Sequence, residues 1–314
     1  MKIITNLLVL IALLSTKIAL AEFNYSMHPE KVAENVYAIL TPTRDFPNPE
    51  NGGWNSNSAF VITDEGVLLF DTGSSAAIGQ ALRDTIATVT DKPVRWIVNS
   101  HAHGDHWLGN VAFVDSVKTI YATTAVTRLI ENDGQRWVAN FKEMTNGLTG
   151  ESRIVKPTLT VDERLELNLG GTQMALMQSG GSHSPGDLML WLPKQKVLIA
   201  GDVVYSDRMP STNAGDLNQW IDTLGFLQNL NPKVVIPGHG KLTDQQGLIQ
   251  LQSLFRALWM AVAKGIDEGM SDFEMLPQIS QALDSFKPLY PGLEDKLKRD
   301  LSHVYLQVEE ASFK

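Results

Sequence analysis

The chain has no cysteine among its 314 residues. That excludes a disulfide framework, a lipid-anchor cysteine and thiolate chemistry of any kind. A basic surplus is missing as well, with 26 Lys and Arg against 35 Asp and Glu. Nucleic-acid binding needs a basic footprint, so that class of partner is not expected. Long apolar runs are scarce. The stretch at residues 7–14 is too short to span a bilayer. No internal repeat is strong enough to mark a repeat architecture. Without cross-links, stability must come from a packed core, and a chain of this length can build a large one.

Residues 1–21 read as an export signal. Lys2 supplies the positive start, residues 7–14 the apolar stretch, and Ala19-Leu20-Ala21 the small-x-small cleavage site. Cleavage near Ala21 would remove Lys2 and Lys17 and no acid. The mature chain would then carry 24 basic and 35 acidic side chains, a net charge of −11. Such a chain is expected in the periplasm or outside the cell, with no membrane span and a small-molecule substrate.

What the sequence does contain is histidine in an ordered pattern. Five of its seven histidines fall in three places: His101-Ala102-His103-Gly104-Asp105-His106, Gly181-Ser182-His183-Ser184, and Pro237-Gly238-His239-Gly240. Gly201-Asp202 closes a further apolar run at 197–200. Imidazole and carboxylate are ligands for zinc, manganese and iron. His101 and His103 follow the apolar run 94–98, which reads as a buried strand. Residues two apart leaving a strand point to one side, so both rings can reach one metal. After the turn at Gly104, Asp105 and His106 can serve a second. His183 completes the first trio, His239 joins Asp105 and His106, and Asp202 with its two oxygens is the natural bridge. Three protein ligands per metal, with a bridge, leave the open coordination that catalysis needs. His28 and His303 stand outside the pattern and are expected to be surface or structural residues.

Turn residues and hydrophobic spacing outline the rest. Strands are expected at 36–40, 58–63, 66–70, 94–98, 119–122, 159–161, 164–169, 173–179, 188–192, 197–200 and 234–236. Helices are expected at 74–88, 124–142 and 216–230, and again from 243 to about 263, 272–285 and 293–310. Residues 41–57 are rich in Pro, Asn and Gly and read as a long loop. Leu251, Leu254, Leu258 and Val262 form an apolar stripe at helical spacing, which is more often core than interface.

Over residues 32–241 this arrangement resembles the metallo-β-lactamase superfamily of hydrolases, including the Asp71-Thr72-Gly73 turn that follows 66–70. The resemblance implies an α/β fold, a four-layer αβ/βα sandwich. Residues 22–242 would be the hydrolase domain, with a C-terminal helical extension, 243–314, packed on it. It implies a water activated between two metals, zinc in the first instance with manganese or iron possible, attacking an ester, lactone or thioester carbonyl. Asp105 would orient or deprotonate that water, and Asp71 would orient the metal loop. Tyr205, three residues after Asp202, matches a tyrosine that in similar lactonases meets the reacting group; the alternative is a packed aromatic.

Other roles follow from the same resemblance. Phe46 and Trp54 would overhang the metals or else pack on the sheet. Arg208 would hold a substrate carboxylate or else be a surface arginine. Ser184, Asp187 and Asn110 would support the ligands by hydrogen bonds. Asp202 argues for the branch of glyoxalase II-like enzymes, lactonases and esterases, because β-lactamases carry cysteine or serine there. The basic residues that glyoxalase II places on its C-terminal helices find no match. The stretches 202–210 and 234–240 look most like exported metallo-hydrolases of sulfur-oxidation and quinoprotein-associated systems. Three alternatives stay open: a β-lactam hydrolase, a mononuclear iron persulfide dioxygenase using two histidines and one aspartate, and a metal-binding protein without activity.

Overall fold

Alternating side chains and short crossovers dictate two sheets. The computed structural model describes residues 23–313, so the expected export signal lies outside the described residues. The first sheet runs β1 (Pro29–Ala33), β2 (Val36–Ile39), β3 (Ser58–Ile62), β4 (Val67–Phe70), β5 (Val94–Val98), β6 (Thr119–Ala122) and β7 (Leu159–Thr160), in that spatial order. β1 to β4 form an antiparallel meander, and β4 to β7 are parallel. Parallel neighbours need crossover connections. These are α1 (Ala76–Ala87), a 3-10 helix (Leu108–Phe113) and α2 (Thr124–Met144). Ser75 caps α1 by accepting from Ile78 N at 3.2 Å.

The second sheet holds β8 (Leu165–Leu169), β9 (Thr172–Gln178), β10 (Leu188–Leu192), β11 (Val197–Tyr205) and β12 (Val234–His239), ordered β12-β11-β10-β9-β8. Only β11 and β12 pair in parallel, and α3 (Leu217–Asn229) connects them. The period of two assigns the faces. On β4, Leu68 and Phe70 turn inward onto Leu190 and Ile199 of the second sheet. Val67 and Leu69 turn outward, into one cluster with Ile78, Leu82 and Ile86 of α1. On the far side Leu198, Ala200 and Val235 cluster with residues of α3 and of α4 (Gln245–Asp267). The result is the four-layer αβ/βα sandwich. Strands covered on both faces read as continuous apolar runs. A side chain as buried as Leu69 contributes about 1.5–3 kcal/mol.

Three C-terminal helices, α4, α5 (Asp272–Ala282) and α6 (Leu293–Ser312), join the outer core of the second sheet. Leu251, Leu254, Leu258 and Val262 are buried there, as the helical stripe predicts. No helix among the described residues is long and apolar enough to cross a membrane.

Two departures from the sequence reading bear on the site. β11 does not stop at Ala200. It continues through Gly201 and Asp202 to Tyr205, so Asp202 lies inside a strand. Gly201 adopts φ +52°, and the β11–β12 register is irregular on either side of it before Tyr205 pairs with His239. The glycine that reads as a strand stop is a bulge. β1 has polar and half-buried positions and gave no strand pattern of its own.

Candidate metal centre

All seven proposed ligands converge from the loop after β5, the loop before β10, the middle of β11 and the end of β12. They form two groups: His101, His103, His183 and Asp202, and then Asp105, His106 and His239. In each group the nearest ligand atoms lie within 4.8 Å of one another. His103 Nδ1 is 2.9 Å from His101 Nε2 and 3.1 Å from His183 Nε2. Ligands around a tetrahedral zinc at about 2.0–2.1 Å sit about 3.4 Å apart, so a few tenths of an ångström of outward movement would let the three rings share a cation. His106 Nε2 and Asp202 Oδ1 face each other at 3.3 Å, and neither has a hydrogen-bond partner. Buried polar atoms are normally paired, and a divalent cation would satisfy both. The donor set therefore fits two cations.

Three of the rings, His101, His106 and His239, are held by the nitrogen that does not face the centre. Asp71 is the hub. It accepts from Ser100 N at 2.8 Å, from Ser100 Oγ at 2.7 Å, and from His106 Nδ1 at 2.7 Å. Since the Ser100 hydroxyl donates to Asp71, His101 Nδ1, 2.9 Å away, must donate to Ser100. Both rings thereby keep Nε2 free for a metal. Asp71 reaches this position from φ +59°, a conformation that aspartate tolerates better than most residues. His239 Nδ1 donates to Asn55 O at 2.8 Å, which frees its Nε2 as well.

The loop 55–57 ties the halves together. Asn55 Nδ2 donates to Asp105 Oδ2 at 3.0 Å, and Ser56 Oγ donates to Asp105 O at 2.6 Å. Asn57 Nδ2 donates to Pro237 O and Gly240 O, both at 2.9 Å. Sequence reasoning missed these residues and Ser100. Four consecutive small polar residues, Asn55 to Ser58, are all buried, and nothing in their type marks them as more than loop. Asp187 and Ser184 take the supporting role expected of them. Asp187 accepts from His183 N at 2.7 Å and from Ser184 Oγ at 2.6 Å. Asn110 instead pairs with Asn99 and Thr72 behind the metal loop and touches no ligand.

Glycine makes room for the bridging carboxylate. A Cβ on Gly238 would stand 1.9 Å from Asp202 Oδ1. Electrostatics prepare the ligands. Burial pushes His101 well below the ordinary imidazole range and His183 down to about 3, so both stay neutral. At Asp105 and Asp202 burial acts the other way, but the neighbouring imidazoles, His106 and His239 foremost, outweigh it and keep both carboxyls ionised. At His106 burial is outweighed by Asp202, Asp105 and Asp71, which hold that ring well above its ordinary value. Without a cation, His106 is where the acids look for positive charge.

The centre opens into a pocket of about 390 Å³. Trp137 and Phe141 of α2 form one wall, and Tyr205 stands on the floor. Tyr205 stacks on His239 with ring centres 5.1 Å apart and donates a short hydrogen bond to Asp202 Oδ2. Burial, then Asp202, push its phenol well above the ordinary range, so the proton stays on. Phe46 lines the mouth, but Trp54 does not. Trp54 is buried against the first sheet, and its Nε1 donates to Ser56 O at 3.1 Å. The expected overhang is thus Phe46 alone, because the glycines at 52 and 53 turn the loop inward. Arg208 is buried, with Nη1 3.1 Å from His239 Nδ1. His28 and His303 take no part; they meet Ser26 and Gly215 O.

Comparison with known proteins agrees with this geometry. The family model of the metallo-beta-lactamase superfamily matches residues 51–239, a span that contains all seven ligands. The chain is 29% identical over 195 residues to metallo-beta-lactamase IND-1 of Chryseobacterium indologenes, covering 59% of this chain and 72% of that one. It is 26% identical over 288 residues to a linear primary-alkylsulfatase of Pseudomonas sp. (strain ATCC 19151), covering 78% of this chain; the chain spans only 54% of that relative's length. A metallo-beta-lactamase structure from Pontibacter korlensis superposes with a TM-score of 0.60 at 24% identity, over 73% of this chain and 99% of that one. With more than half of its length in the family match, the chain belongs to the metallo-beta-lactamase superfamily.

Proposed function

We propose that the chain is an exported hydrolase that holds two divalent cations, zinc in the first instance, and cleaves the ester, lactone or thioester bond of a small molecule. The position of Asp202 carries the reading. Its Oδ2 lies 3.4 Å from His183 Nε2, and its Oδ1 lies 3.3 Å from His106 Nε2, so one carboxylate faces both groups. His101, His103 and His183 would hold one cation, Asp105, His106 and His239 the other, and Asp202 both. When bound, the pair supplies Lewis acidity that lowers the pKa of a water and polarises an oxygen of the scissile group.

The chain's own groups do the rest. Asp105, ionised and steered by Asn55, is placed to accept a proton from the attacking water. Tyr205, kept as a phenol, can turn its O–H from Asp202 to the leaving group or to the developing oxyanion. Trp137 and Phe141 keep bulk water off the reacting bond.

The similarity to IND-1 supports a second reading, β-lactam hydrolysis. One experiment separates these readings and the iron dioxygenase. Metal is quantified on the purified full chain, beside assays on an aryl ester, a lactone, a thioester and a cephalosporin. Two zinc or manganese ions per chain with turnover of an ester, lactone or thioester is the expected result. Turnover of the cephalosporin alone moves the β-lactam reading forward. A single iron with oxygen uptake and no hydrolysis overturns the proposal.

A further inference from the structure

Three cations meet at the mouth of this pocket in a chain that is acidic overall. Arg208 follows β11, and Lys296 and Arg299 stand one turn apart on α6. All three surround Phe46: the Lys296 ammonium lies 4.8 Å from the ring centre, and the Arg208 and Arg299 guanidinium carbons lie 5.3 and 5.4 Å from it. The same three side chains line the pocket that contains Asp105, Asp202 and Tyr205. Arg208 and Lys296 are more than nine-tenths buried, at 8% and 9% exposure.

Their countercharge is incomplete. Among the described residues, no carboxylate lies within ion-pair distance of Arg208 or Lys296. Arg299 Nε has one, Asp300 Oδ1, at 3.8 Å. The other Asp300 oxygen is taken up by Ser211 Oγ at 2.8 Å and Thr212 N at 2.9 Å. Lysine usually carries its head into water. Lys298 does so, with a 59% exposed side chain. Lys296 does not, and burial, helped by Arg299 and Arg208, pushes its ammonium down to about 8. Cation–π attraction explains the contact with Phe46. It does not explain why Arg208 and Lys296 are buried in a pocket instead of reaching solvent.

We propose that Arg208, Lys296 and Arg299 form a subsite for an anionic group, a carboxylate, on the part of the substrate that is not cleaved. The proposal rests on the hydrolase reading and names its substrate class: esters or lactones that carry a free acid. Two planar guanidinium forks suit the paired oxygens of a carboxylate, and the ammonium adds a point charge. The family match ends at residue 239. Arg208 lies within it and Lys296 and Arg299 beyond it, so two of the three cations are supplied by the C-terminal helices.

Binding tests the subsite apart from turnover. The probes are 5-oxohexanoate, whose ketone cannot be hydrolysed, and its neutral amide, titrated by calorimetry into the metal-loaded full chain. A charge-assisted contact of this kind is worth about tenfold or more in affinity, so the acid should bind about tenfold more tightly than the amide. Lys296→Met, close to isosteric, should remove most of that preference, and Arg299→Gln, at a half-exposed position, a smaller part. Lys298→Met, which removes the same charge from the outer face of α6, should keep it. Arg208 is left intact because it touches His239.

Equal binding of acid and amide to the parent overturns the proposal. So does a preference that survives both variants, which would place the carboxylate on the metal ions. Inorganic sulfate competing as well as the acid would mark a general anion sink and overturn it too. Aryl esters with and without a terminal carboxylate then separate the two readings. If neither ester is turned over but the acid still binds through Lys296, the hydrolase reading fails and the subsite stands. If both are turned over without preference, the subsite fails alone.

Discussion

Asp71 Oδ2 sits 2.7 Å from His106 Nδ1 and, through the Ser100 hydroxyl, governs His101 as well. One carboxylate thus sets the tautomer of a ligand in each group. Asp71→Asn keeps the shape and tolerates the positive φ, but it replaces an ionised acceptor with an amide. Metal affinity should fall by about 10–100-fold, the usual effect of losing such a support, with the fold intact. Competition against a chelating dye, with circular dichroism as the control, reads both. Unchanged affinity would reduce Asp71 to a turn residue.

Tyr205→Phe removes the only hydroxyl that touches Asp202 among the described residues. With a proton donor lost, kcat should drop about 100-fold while metal content stays the same. An unaltered kcat would make Tyr205 a packing partner of His239 and nothing more.

Gly238→Ala sets a methyl group 1.9 Å from Asp202 Oδ1. The carboxylate or the strand has to move, and overpacking of this kind costs about 1–3 kcal/mol. Thermal unfolding should show the loss, and metal analysis should show less than the parent content. A variant with parent-like melting and metal content would mean that β12 shifts without strain.

Lys296 gives a pH dependence with a definite sign. Its ammonium titrates at about 8 in the folded chain, against about 10.4 for an unfolded lysine. Between those values the unfolded chain holds the extra proton, so this group makes stability rise with pH across the window. The charges around it are Arg299, Arg208, Asp300 and Asp202. Selectivity for an acid-bearing ester should run the opposite way, full below about 8 and fading above. The ratio of kcat/KM for acid and neutral esters from pH 7 to 10 checks it, and a flat ratio would remove Lys296 from substrate binding.

The cluster of seven His and Asp side chains was legible because metal chemistry restricts residue type, and because these residues sit at or just past apolar runs where a sheet can present them. His101, His103 and His239 needed no long-range knowledge. What escaped depended on contacts between distant segments. Trp54 and Phe46 are alike in a loop, and only the turn at Gly52 and Gly53 sends one inward and leaves the other at the pocket mouth. The extent of β11 was hidden by Gly201, which has the composition of a stop and the geometry of a bulge. Lys296 and Arg299 look like any two basic residues one turn apart on an amphipathic helix. No local pattern reports which way that helix face will be turned.

Every ligand group draws on both sheets: His101 and His103 with His183 and Asp202, Asp105 and His106 with His239. A bound cation would therefore act as a rivet between two separately wound halves. Each half alone offers an incomplete ligand set, so the full set forms only once the halves dock. Metal binding would therefore draw on the free energy that holds the seam closed, whatever the substrate.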